Sequence, residues 1–142
     1  MLKPSLSDED YQTLAAFRFA LRRFLAFSET AAGEAGLTPR QHQALLGIKN
    51  ARGNGASIAD LAAFLILRHN STVELVDRLV QAGYALRHED GADRRRVRVR
   101  LTDLGEARLA ELTGIHLAEI DRIGPELKDL LNQMQRRGES KR

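Results

Sequence analysis

Apolar residues recur at helical spacing through most of the chain, alternate with polar ones near position 85, and return to the helical period after 102. Leu14, Phe17, Leu21, Phe24 and Leu25 form the first helical stripe. Ser7 and Asp10 ahead of it have capping-box spacing, so a helix is expected from there to about Gly33–Gly36. "LTPRQHQALLGIKNA" restarts a helix: Thr38 caps, Pro39 takes the first turn, Gln41 completes the box, and Leu45, Leu46 and Ile48 face inward. The glycines of "RGNGAS" end it. Ser57 and Asp60 then frame a short helix with Ile58, Leu61, Ala62 and Leu65 on its buried stripe. After a break at Leu67–His69 comes "NSTVELVDRLVQAG", with Thr72, Leu75, Val76, Leu79 and Ala82 inward and Gly83 as its stop.

"YALRHE" and "RVRVRL" read as strands around a "DGADR" loop. Val97, Val99 and Leu101 point one way; Arg96, Arg98 and Arg100 point the other. Thr102 caps a further helix bearing Leu109, Leu112, His116, Ile120 and Ile123. Gly124–Pro125 is expected to break it before a last helix holding Leu127, Leu130, Leu131 and Met134. The fold class is therefore mainly α with a small β-hairpin. A winged helix-turn-helix lobe (37–101) lies between an N-terminal helix (1–36) and C-terminal helices (102–142).

Charge distribution sharpens this picture more than total charge does. The 142 residues carry 22 Lys+Arg against 19 Asp+Glu, a net charge of only +3. Yet Arg94, Arg95, Arg96, Arg98 and Arg100 fall within seven positions of the hairpin. A two-stranded hairpin tip fits a DNA minor groove, where an arginine meets concentrated negative potential and base-edge acceptors. Asp93, Arg94 and Arg95 lie at the tip, and Asp93 is suited to holding an arginine by a bidentate pair. Arg96, Arg98 and Arg100 face flanking phosphates, or form the solvated face of a strand. On the second helix of the helix-turn-helix, His69, Asn70, Ser71, Val73 and Glu74 begin the outward set, with Arg78 one turn on and Arg68 beside the turn. Asn70 and Ser71 suit base edges or phosphates, or alternatively cap the helix. Val73 suits a thymine methyl. Glu74 is unusual against DNA, and suits cytosine N4 or the orientation of His69 or Asn70.

The terminal helices carry more apolar positions than one small lobe can bury. Four of the five phenylalanines, Phe17, Phe19, Phe24 and Phe27, lie in the first helix alone. Leu14, Phe17 and Leu21, with Ile120, Ile123, Leu127, Leu130, Leu131 and Met134, are the expected contacts to a second copy; the alternative is an apolar-rich monomeric bundle.

"LTPRQHQALLGI", "SIADLAAFL" and "LVDRLVQAGYALRHEDGADRRRVRVRLTDLGE" together resemble the MarR family of bacterial winged-helix transcription regulators, over about residues 10–136. The most specific match is Asp93-x-Arg95 followed by Val99, Leu101-Thr102 and Gly105; "LVDRL…G" at 75–83 is the second. The resemblance implies a homodimer joined through the terminal helices. It implies a pseudo-palindromic double-stranded DNA operator, with one recognition helix per half-site. Arg95 would enter the minor groove and Asp93 would position it. A small aromatic or anionic effector, bound in a cleft between the dimer region and the DNA-binding lobe, would release the DNA. Glu74 and Val73 depart from the commoner polar or basic choices, so the target sequence is not inherited.

Other chemistry finds little footing. No cysteine is present, which excludes disulfides, thiolate catalysis and thiol redox sensing. His116 and Glu119 have i, i+3 spacing, a weak metal pattern; a half-buried histidine is the plainer reading. No phosphate loop or nucleophile motif appears, so no catalytic residue, metal or cofactor is expected. Arg18, Arg22 and Arg23 suit an anionic ligand or plain solvent exposure. With no apolar span and no signal peptide, a cytoplasmic location is expected. The competing function is a winged-helix interaction module that docks an acidic protein partner.

Overall fold

A computed structural model describes residues 5–90 and 93–140, with side chains at all of these except 90, 93–96 and 138–140. The order is α1 (Asp8–Glu34), α2 (Pro39–Asn50), α3 (Ile58–Leu65), α4 (His69–Gln81), β1 (Ala85–Asp90), β2 (Asp93–Leu101) and α5 (Asp103–Ser140). The chain divides into two compact units: Ala31–Gly114, and Met1–Thr30 with Ile115–Arg142. The division falls inside α1 and α5.

The helix starts follow local chemistry. In α2, Thr38 Oγ1 accepts from the Gln41 amide at 3.1 Å, and Gln41 Oε1 accepts from the Thr38 amide at 2.9 Å. In α3, Ser57 and Asp60 exchange the same two bonds at 3.0 and 3.3 Å. Ser7 and Asp10 do so at the start of α1. Each box satisfies two amide donors that a helix start leaves without partners.

The core of the Ala31–Gly114 unit joins α2, α3, α4, β2 and the first turns of α5. Leu45, Leu61, Val76, Leu79, Val99 and Leu112 are almost wholly buried in it. Two expected core positions differ. Leu46 is 37% exposed, because the inward face of α2 is centred on Ala44, Leu45 and Ile48 and the next residue turns about 100° away. Ala82 is exposed at the C-cap of α4, past the last turn that packs.

β1 and β2 pair antiparallel, Ala85 opposite Leu101 through Glu89 opposite Val97. The next pair is Asp90 with Asp93, so Arg94–Arg96 stand in β2 with no residue opposite them. An unexpected backbone pair continues the sheet: the Val99 amide donates to Ala56 O at 2.8 Å, and the Ala56 amide to Val99 O at 2.9 Å.

The exit from β2 is locked to the entry of β1. The Thr102 amide donates to Tyr84 O at 3.0 Å, and its hydroxyl to Gly83 O at 2.6 Å. That hydroxyl also accepts from the Gly105 amide at 3.1 Å, capping α5. The backbone passes so close here that a Cβ on Gly105 would lie 2.1 Å from Tyr84 O.

α5 is continuous from Asp103 to Ser140 with Pro125 inside it, which corrects the expected break and merges two helices into one. Pro125 removes one donor and crowds the carbonyl of residue 121, at about 3 kcal/mol. The apolar stripe nevertheless keeps its phase across it: 116, 120, 123, 127, 130 and 134 follow steps of four and three. Half-burial of Ile123, Leu127, Leu130 and Met134 along that stripe outweighs the single defect.

In the other unit, α1 and α5 run antiparallel. His116 Nε2 lies 2.7 Å from Ser28 Oγ at one end, and Arg137 lies 3.8 Å from Asp10 at the other. Phe24 and Phe27 meet the His116 ring edge-on. Glu119 hydrogen-bonds Arg122 and strengthens its hold on the proton.

Gly105→Ala should lower stability by about 1–3 kcal/mol, since the new methyl group meets a backbone carbonyl. Gly114→Ala, in the same helix with nothing within 4 Å, should raise it by up to about 1 kcal/mol. Urea denaturation of the two variants checks the contrast.

Candidate nucleic-acid interface

The site begins at the turn between α3 and α4. Ile66 closes α3 in the left-handed region, φ 54° and ψ 49°, and its amide donates to carbonyls of α3. It is a β-branched residue where glycine or asparagine is usual, and it is 91% exposed. Arg68 follows as the N-cap of α4 and offers no side-chain cap. Asn70 and Ser71 lie inside the first turn, so neither is the cap residue. The turn is held from below instead. Thr72 is fully buried, and its hydroxyl donates to Arg68 O at 2.9 Å.

α4 is sharply two-sided. Thr72, Leu75, Val76 and Leu79 pack inward, while Arg68, His69, Asn70, Glu74 and Arg78 are exposed and Ser71 and Val73 are half-buried. Among the described residues, the exposed five make no side-chain hydrogen bond or ion pair. Neighbouring cations of the same unit are already partnered: Lys49 with Glu106 at 3.0 Å, Arg108 with Glu111 at 3.7 Å, Arg98 with Asp60 at 3.9 Å, and Arg87 with Asp77. Asp77 therefore belongs to the hairpin, and Arg78 is left to solvent.

Three contacts aim the hairpin. Arg87 of β1 pairs with Asp77 of α4. His88 Nε2 lies 2.6 Å from Asn54 O in the α2–α3 loop. Arg98 leans on Asp60, so it is not simply a solvated strand residue as the alternation suggested; Arg100 is exposed. The side chains of Asp93, Arg94, Arg95 and Arg96 lie outside the described residues. The backbone of those four belongs to β2, on the hairpin these contacts hold. Sequence reasoning did not find Ile66, the Asp77–Arg87 pair or the Ala56–Val99 bridge. Only Ile66 left a local trace, as a branched residue in a two-helix turn.

The expected dimer residues lie in the other unit. Leu14, Ile120 and Leu131 are 53%, 44% and 42% exposed, while Phe17, Leu21, Ile123, Leu127, Leu130 and Met134 are half-buried. His116 makes the hydroxyl and ring contacts of a half-buried histidine. No group of three or more His, Cys, Asp or Glu among the described residues is placed to hold a metal ion. No helix among them is long and apolar enough to cross a membrane.

Ile66→Asn should raise stability by about 1 kcal/mol, because asparagine tolerates the left-handed region and an exposed isoleucine gives up no core contact. The urea midpoint checks this.

Comparison with known proteins agrees with this geometry. The MarR family model matches residues 35–96. No curated protein matches the chain in sequence. Among solved structures, AbsC, a MarR family transcriptional regulator from Streptomyces coelicolor, is 20% identical with a TM-score of 0.75, over 94% of this chain and 92% of its own. CouR from Rhodococcus jostii, bound to p-coumaroyl-CoA, is 24% identical with a TM-score of 0.71, over 97% and 94%. A mutant of MepR from S. aureus, bound to an oligodeoxyribonucleotide, is 19% identical with a TM-score of 0.67, over 89% and 92%. Residues 35–96 thus carry the signature of the MarR family, and the chain around them has the winged helix-turn-helix fold of the family's transcription regulators.

Proposed function

We propose that this chain is a sequence-specific, double-stranded DNA-binding transcription regulator that acts as a homodimer on a pseudo-palindromic operator. The observation that carries the reading is the unpartnered polar set on the first turns of α4, on the same rigid lobe as an arginine-rich hairpin. Exposed, unpaired donors and acceptors at a helix N-terminus suit base edges and phosphates. His69, Asn70, Ser71, Val73 and Glu74 face the major groove, and Arg68 and Arg78 face phosphate. Arg94, Arg95 and Arg96 serve the wing, with Arg95 in the minor groove and Asp93 positioning it. The MepR structure with an oligodeoxyribonucleotide supports DNA as the partner of this fold.

The unit of terminal helices supports a second copy. Tyr11, Leu14, Phe19, Leu25, Leu117, Ile120 and Leu131 are all more than 40% exposed in one chain. Apolar excess of this kind marks an association surface. On this reading 1–36 and 102–142 dimerise and 37–101 reads DNA. A small aromatic or anionic effector then releases it; CouR, solved with p-coumaroyl-CoA, supports that class of ligand. The role calls for a cytoplasmic protein.

A duplex-library selection should enrich one palindromic motif. Failure to enrich any duplex overturns the reading in favour of the module that docks an acidic protein. Arg95→Ala should weaken binding to the selected duplex by about tenfold, and affinity should fall steeply with salt. Unchanged affinity for that variant at moderate salt counts against the wing.

Ile120→Asp combined with Leu131→Asp should reduce the mass in sedimentation equilibrium from two subunits to one. A wild-type mass of one subunit at micromolar concentration would refute the dimer.

A further inference from the structure

A groove of about 520 Å³ runs between the start of α2 and the exposed side of α4. Its walls include Thr38, Arg40 and Gln41 from α2 and Ser71, Glu74 and Arg78 from α4. Thr38 and Gln41 spend their side chains on the capping box. Arg40, Glu74 and Arg78 are exposed and make no hydrogen bond or ion pair among the described residues. Glu74 and Arg78 are one helical turn apart, yet no ion pair joins them. The groove therefore offers two guanidinium groups, one on each wall, against the single Glu74 carboxylate, with the Ser71 hydroxyl beside them.

We infer that this groove seats a backbone phosphate of the bound duplex between Arg40 of α2 and Arg78 of α4, making Arg40 a DNA-positioning residue. The inference rests on the reading of α4 as the recognition helix. If α4 lies in a major groove, its flank meets the sugar-phosphate ridge beside that groove, and the wall opposite the flank is α2. Guanidinium groups from two helices gripping one phosphate would set the depth and tilt of α4 without reading sequence. Glu74 then has a distinct part. Its carboxylate lines the same groove, where Arg40 and Arg78 outnumber it and keep the lining net positive, and it is an acceptor for which cytosine N4 is a suitable donor.

The test measures duplex affinity across salt concentrations for the full-length protein, using the selected duplex and variants with single base pairs exchanged. Arg40→Ala should weaken binding by about threefold to tenfold, by the same factor on every duplex, and reduce the salt slope by about one. Arg40→Lys should recover the slope. Glu74→Gln should change the ranking of duplexes and leave the slope nearly unchanged. Unchanged affinity and slope in Arg40→Ala overturn the inference, and so does a loss confined to particular base pairs. Arg40 is exposed on the first turn of α2, so its removal leaves the core intact, and an unchanged urea midpoint confirms it. If no duplex binds the wild type at all, the DNA reading itself has failed; if binding depends on Arg95 but not on Arg40, only the phosphate seat has.

Discussion

The backbone pair between Ala56 and Val99 is the constraint on which the rest of the lobe depends. A two-stranded hairpin is marginal by itself in water. Here β2 gains a partner on its second edge, and Val99 is driven to zero exposure at that point. The approach needs Gly55: its φ is +109°, and a Cβ there would stand 2.5 Å from Val99 O. With Asp77–Arg87 tying β1 to α4 and Thr102 tying both ends of the hairpin, hairpin and α4 form one body. A protein that engages two DNA grooves at once, as proposed above, would gain from that, because a pre-set orientation lowers the ordering entropy lost on contact.

The same lobe breaks local rules in one place. Ile66 holds a left-handed conformation and exposes a branched apolar side chain, and two residues later α4 starts without a side-chain cap. Each departure costs on the order of 1 kcal/mol. Both fall at the end of α4 where the unpartnered polar residues stand. α1, α2 and α3 all have complete capping boxes. Local stability is given up where an outside partner can satisfy the groups, and nowhere else along these helix starts.

How much of this was legible depended on how local the governing interaction is. Capping boxes act over three residues, so Ser7, Thr38 and Ser57 announced their helices correctly. The hairpin was legible because period two is itself a backbone property. Leu46 and Ala82 fall outside the core because apolar character alone does not fix where the centre of a helix face lies. Pro125 shows the opposite: a strong local breaker is overridden by an apolar stripe whose phase runs unbroken through it. The Arg94–Arg96 bulge, the Ala56–Val99 bridge and the Asp77–Arg87 pair depend on tertiary register, which no short window contains. The polar face of α4 was legible as a surface. That its polar groups are free, while Arg98 and Arg87 are engaged, only the folded lobe reveals.

The terminal helices complete the physical argument from the other side. An antiparallel helix pair buries one seam, and here that seam takes Phe24, Phe27, Ile123 and Leu127 to half-burial. It leaves Leu14, Phe19, Leu25, Leu117 and Ile120 in water. On the proposed reading, the surface that one lobe offers to DNA is small: a few short polar residues on two turns of helix and one hairpin tip. Each correct base contact supplies about 1–3 kcal/mol of discrimination, too little from one lobe to single out an operator among many competing sites. In the proposed dimer two lobes would add their discrimination energies, so their selectivities would multiply. On the proposed reading, the apolar surplus at the ends of the chain and the modest polar set on α4 answer one requirement, since so small a reading head gains specificity from a second copy.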